Sequence, residues 1–72
     1  MNERPTLSDH FRRFLTERPA ISPDRLADEL NFDRANLQKI IQAQRNIPQP
    51  KRGDFCRIMH KYGYMDLPSQ NL

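Results

Sequence analysis

Apolar residues recur at helical spacing along most of the chain, and a residue that can start a helix precedes each recurrence. Leu7, Phe11, Phe14 and Leu15 fall at i, i+4, i+7 and i+8, one stripe of a helix. Thr6 stands before that stripe with Asp9 three residues later, a pair whose hydroxyl and carboxylate accept from the exposed N–H groups of a first turn. The spacing predicts a first helix ending near Arg18, because Pro19 disfavours helical backbone in its predecessor. Ser22 and Pro23 signal a second start, a hydroxyl at the N-cap and then a proline where no N–H is needed. That helix runs through Leu26 and Ala27 to about Leu30. Asn31 and Phe32 form a tight connection, asparagine tolerating a left-handed backbone, and Asp33 is placed to cap a third helix.

The third helix is predicted from Arg34 to about Gln44, with Leu37, Ile40 and Ile41 turned to the core. The prolines of Asn46 to Pro50 make a loop. Phe55, Ile58, Met59 and Tyr62 then mark a fourth helix, opening near Pro50 or Lys51 and stopped by Gly63. The tail, 64–72, has no clear period and reads as a loose end or an interface. No strand-like alternation and no internal repeat interrupts this pattern. The expected fold class is all-α, one domain over 1–72 built as a compact bundle of four short helices.

Charge changes the picture because it is uneven. The chain carries a net +3, with −1 on Met1 to Phe32 and +4 on Asp33 to Leu72. The twenty residues from Arg34 to Gly53 hold Arg34, Lys39, Arg45, Lys51 and Arg52 and no acid. Such a segment points to a polyanionic partner; the simpler reading is a solvated helix face, since Lys, Gln and Arg are good helix formers. Chemistry of other kinds finds little support. Two glycines leave no glycine-rich phosphate loop, and no nucleophile with a base or paired carboxylates is recognisable, so catalysis is not expected. Cys56 and His60 lie four apart and supply half of a metal site at most, so neither metal nor cofactor is expected. The lone cysteine favours a reduced, cytoplasmic setting. No apolar run approaches the roughly 20 residues needed to cross a bilayer, and MNERPTLSDH does not read as a signal peptide.

A short helix, a three-residue turn and a longer helix with a polar outer face make a helix-turn-helix pattern. SPDRLADELNFDRANLQKIIQ resembles the helix-turn-helix of the phage repressor and Cro-like family, also called the xenobiotic-response-element family. Leu26-Ala27 matches its packed Leu-Ala pair, Asn31 its turn glycine, Phe32 its apolar turn residue, and Leu37 and Ile40 its recognition-helix anchors. The resemblance covers about Ile21 to Gly63, with the motif itself near 21–45. Two positions depart from it: Ile41 replaces a frequent acid, and Ala43 replaces the glycine that usually ends the recognition helix. Without that glycine the third helix is free to run toward Arg45.

The resemblance implies a sequence-specific regulator of transcription, a repressor, that binds double-stranded DNA as a homodimer on an inverted repeat. Carried over position by position, base reading falls on Arg34, Ala35 and Lys39, with Asn36 and Gln38 beside them. Phosphate contacts fall on Ser22, Gln42, Arg45, Lys51 and Arg52. The residue types suit those roles: Arg and Lys donate to guanine O6 and N7, Asn and Gln pair with adenine, and a methyl such as Ala35's touches thymine. The dimer contact is expected in the fourth helix or the tail from Tyr64. The alternative is a protein-interaction module, such as an antitoxin or a phage-encoded inhibitor, that uses the same helices to hold a protein partner.

Overall fold

Thr6 and Asp9 open the first helix by satisfying each other's neighbours. In the computed structural model, which describes residues 5–65, the Asp9 N–H donates to the Thr6 hydroxyl at 3.1 Å and the Thr6 N–H donates to Asp9 Oδ2 at 3.0 Å. This capping box starts α1, Leu7–Glu17. The second helix, α2, is Pro23–Leu30, and the third, α3, is Arg34–Ile41. A 3₁₀ turn at Gln49–Lys51 leads directly into α4, Arg52–Lys61. The described residues are thus all-helical, as the apolar spacing predicts. The last part of the tail, 66–72, lies outside them.

Three corrections to the sequence expectations concern helix ends and the tail. Ser22 takes the N-cap position of α2, but its hydroxyl makes no capping bond; its carbonyl accepts from the N–H groups of Arg25 and Leu26 instead, and the fixed ring of Pro23 sets the first turn. The third helix stops at Ile41 rather than Gln44, with Gln42 at its cap and Ala43 in the left-handed region at φ 64°. Tyr64, read as part of a loose tail, is buried at 2 % exposure.

All three later helices close in the same way. The Phe32 N–H donates to the Ala27 carbonyl, the Gln44 N–H to Lys39, and the Tyr64 N–H to Met59, each reaching back five residues. Asn31, Ala43 and Gly63 sit just before those donors, and all three have positive φ. This is the double-bonded ending in which one left-handed residue turns the chain away and serves carbonyls that would otherwise lack partners. Only the residue types differ, and with them the strain.

The core forms where α1 and α4 meet beneath α2 and α3. Phe11 packs edge-on against Phe55 with centroids 5.0 Å apart, and Phe14 edge-on against Tyr64 at 5.8 Å, geometries that suit the ring quadrupoles. Leu26, Ala27, Leu37, Ile40 and Met59 belong to the same core, as does Ile47, a loop residue that no period marks. Ser8, at 2 % exposure, is the buried polar exception among the described residues. Its hydroxyl accepts the Ile47 N–H at 3.0 Å and ties the loop after α3 to α1. A second tie joins α2 to the end of α4: Lys61 Nζ donates to Glu29 Oε1 at 3.0 Å and the Tyr62 hydroxyl to Glu29 Oε2 at 2.8 Å.

Ser8→Ala strands the Ile47 N–H away from water, so stability falls by about 1–3 kcal/mol, read as a lower Tm by calorimetry. The Tyr62 hydroxyl, and after it the Lys61 ammonium, hold the Glu29 carboxyl below its ordinary 4.5; the Thr6 N–H and then Arg12 likewise lower Asp9 from 3.8. A carboxyl whose pKa is lowered by folding stabilises the protein above its unfolded value and loses that effect as pH falls through the folded one. Tm is therefore expected to fall on acidification below about pH 4.5, and Glu29→Gln to flatten that fall.

Candidate nucleic-acid interface

Three residues, Asn31 to Asp33, separate α2 from α3, and each has a structural task. Asn31 adopts φ 54° and ψ 48°, which turns the chain. Phe32 drops its ring edge-on against Phe55, 5.6 Å between centroids, so the turn is fastened to α4. Asp33 caps α3 by accepting the Asn36 N–H at 3.0 Å. With Leu37 and Ile40 buried and Ile41 half-buried, the opposite side of α3 is set: Ala35, Gln38, Lys39 and Gln42 are exposed. The expected core and outer faces of the third helix are both present.

The charged residues are less free than the sequence suggests. Arg34 Nη2 donates to both oxygens of Asp28, at 3.0 and 3.2 Å, and its Nη1 lies 4.0 Å from Asp24. Its pKa is raised by the Asp28 hydrogen bond first and by the nearby charges next. A cation at a helix start opposes the helix dipole; the capping Asp33 and the two α2 carboxylates offset it. The acid-free run in sequence is therefore not an acid-free surface in space. Lys51 donates to the Leu30 carbonyl at 3.1 Å and stands 3.8 Å from Asp54, so it serves the end of α2 and the start of α4.

Other cations remain available to an anion. Lys39 is exposed and has no hydrogen-bond or ion-pair partner among the described residues. Arg45 Nη1 donates to the neutral Asn36 side chain at 3.0 Å, which leans the loop guanidinium back along α3. Gln44 Nε2 donates to the side-chain oxygen of Gln42, Oε1, at 3.2 Å. Arg52, in the first turn of α4, is exposed. Ser22 is half-buried at the start of α2, beside Asp24. Thus Arg34, Asn36, Lys39, Gln42 and Arg45 share α3 and its exit, Lys51 belongs to the junction of α2 and α4, and Ser22 marks the opposite end of α2.

Sequence reasoning missed three contributors. Arg12 on α1 donates to the Ile40 carbonyl at 2.7 Å while its other Nη donates to Asp9 at 2.7 Å, so a guanidinium braces the end of α3 where Ile41 supplies no charge. Asp24 and Asp28 recur at i, i+4 and thus share a face of α2; that spacing was the available signal for what sits beside Arg34.

Elsewhere the described residues hold little that binds. An open groove of about 430 Å³ between α2 and α4 includes Glu29, Leu30, Lys51, Asp54, Arg57 and Lys61, but its charges pair with one another. Burial pushes the Cys56 thiol up, away from thiolate. Among the described residues no group of three or more His, Cys, Asp and Glu could hold a metal ion, and no helix is long and apolar enough to cross a membrane. Comparison with protein-family models, curated proteins and solved structures gives no match.

A left-handed alanine costs about 1–2 kcal/mol, of which the extra freedom of an unfolded glycine takes back part. Ala43→Gly, at φ 64°, is expected to raise stability by roughly 0.5–1 kcal/mol. Denaturant titration would register it as a higher midpoint at unchanged slope.

Proposed function

We propose that the protein is a sequence-specific, double-stranded DNA-binding regulator of transcription, a repressor, that lays α3 in the major groove. One observation carries the reading: α3 follows α2 after a three-residue turn and presents Ala35, Gln38 and Lys39 outward, with Lys39 unpaired. A methyl, an amide and an ammonium on one exposed strip match the apolar, adenine and guanine features of base edges. Arg45 and Arg52, which no described acid pairs, supply contacts to phosphate that fix register without reading sequence. Two copies on half-sites one helical turn apart would multiply the affinity of a single small module.

The occupied state of Arg34 favours a second reading. With Asp28 and Asp24 beside it, Arg34 leaves no net positive charge at the start of α3, and a protein-interaction module, binding a partner through the same helices, needs no net positive surface. Selection of bound sites from random duplexes at near-physiological salt separates the two. An enriched inverted repeat supports the repressor reading; absence of any enrichment removes it in favour of a protein partner.

On the selected duplex, Lys39→Ala is expected to cost about 1–3 kcal/mol and to relax choice at one base position. Arg45→Ala should weaken selected and unrelated duplexes alike and lower the salt slope by about one. Titrations in a series of salt concentrations read both effects. Unchanged binding in both variants would place the duplex somewhere other than α3.

A further inference from the structure

Arg34 stands at the first position of α3 with its most useful donor already taken. A guanidinium binds two acceptors side by side through one of two edges, and both edges include Nη2. In this structure Nη2 serves Asp28 Oδ1 and Oδ2, at 3.2 and 3.0 Å. Asp24 adds a second carboxylate 4.0 Å from Nη1. All three side chains are more than half exposed, so the pair is reversible and weak in water. Its position gives it significance: it is the one cation of the outer α3 face that described acids hold, while Lys39 beyond it on the same helix is free.

We propose that Asp28, backed by Asp24, is a positioning residue that screens Arg34 from phosphate and so sets the ratio of specific to non-specific duplex binding. The proposal rests on the duplex-binding reading of α3. A phosphate approaching Arg34 meets two carboxylates before it meets an available Nη2, and like charges repel it. A guanine edge offers neutral acceptors, O6 and N7, and suffers less from the same carboxylates. To be read bidentately it must displace Asp28, a small and uniform tax on the competent state. The tax falls on every sequence, but only a base placed opposite Arg34 repays it. Non-specific binding depends almost wholly on phosphate contacts, so it loses most from a cation withheld from the backbone.

The test uses the whole chain, the duplex recovered by selection and an unrelated duplex of equal length and base composition. Asp28→Asn is expected to tighten binding to the unrelated duplex by about twofold to fivefold, the range of an exposed ion pair, and to steepen its salt slope. The selected duplex should gain less, so the ratio of the two affinities falls. Asp28→Glu, which keeps the charge, should restore the ratio, and in an Arg34→Ala background Asp28→Asn should no longer change it. Glu17→Gln on α1, an equal change of net charge at a residue paired with Arg13, is the control. Equal gains for both duplexes, the same result from Glu17→Gln, or an unchanged effect without Arg34 would each overturn the proposal while leaving DNA binding intact. If the native chain holds no duplex at all, both the proposal and the reading beneath it fall.

Discussion

Eight-residue helices do not persist in water by themselves, because nucleating a helix costs more than two turns of hydrogen bonds return. The length of α2 and α3 therefore makes everything on their surfaces depend on the aromatic core below. Phe11 and Phe14 of α1, Phe55 of α4 and Tyr64 beyond it are all essentially removed from solvent. Phe32 extends that cluster into the turn between α2 and α3 by resting on Phe55. The direction in which α3 faces is thus set by its own Leu37 and Ile40 in the core together with the ring contact that fastens the turn before it, and the polar side of α3 is what those contacts leave outside.

The way the helices end distributes strain along the same chain. Asn31, Ala43 and Gly63 perform one backbone manoeuvre, which glycine makes freely, asparagine at modest cost and alanine at a larger one. The alanine lies where α3 gives way to the loop carrying Arg45. Its cost is tolerated because the surroundings fix the turn from several sides: Arg12 donates to the Ile40 carbonyl, and Ser8 receives the Ile47 N–H. A turn held by contacts from α1 does not need the residue that makes turning easy.

How much of this is legible in the sequence depends on the reach of each interaction. Thr6 with Asp9, and Asp33 with the Asn36 N–H, act over three residues, and the sequence pattern places both. The left-handed role of Asn31 and the stop at Gly63 are likewise local. Ile47 is not legible, since a single apolar residue between Asn46 and Pro48 has no period, and only its contact with α1 explains its burial. Tyr64 is hidden for a similar reason: it follows a helix stop, yet its hydroxyl reaches His10 Nδ1 at 2.8 Å across most of the described chain. The candidate site divides in the same way. Helical periodicity gives the outward positions of Ala35, Gln38 and Lys39, whereas the state of Arg34 depends on Asp28 across a turn: the i, i+4 spacing of Asp24 and Asp28 gives them one face of α2 but does not name the cation that meets it.

Charge counted along a chain and charge present at a surface are different quantities. From Arg34 to Gly53 the sequence holds five cations and no acid, but folding brings Asp28 to Arg34, and Lys51 to the Leu30 carbonyl with Asp54 nearby. The cations that no described acid pairs, Lys39, Arg45 and Arg52, lie later in the run. The field around α3 is therefore graded, with carboxylates gathered about its first residue and unpaired cations toward its exit. A gradient of that kind suits a helix whose start meets the uncharged edges of bases and whose end meets phosphate, because each partner then faces the charge it tolerates best.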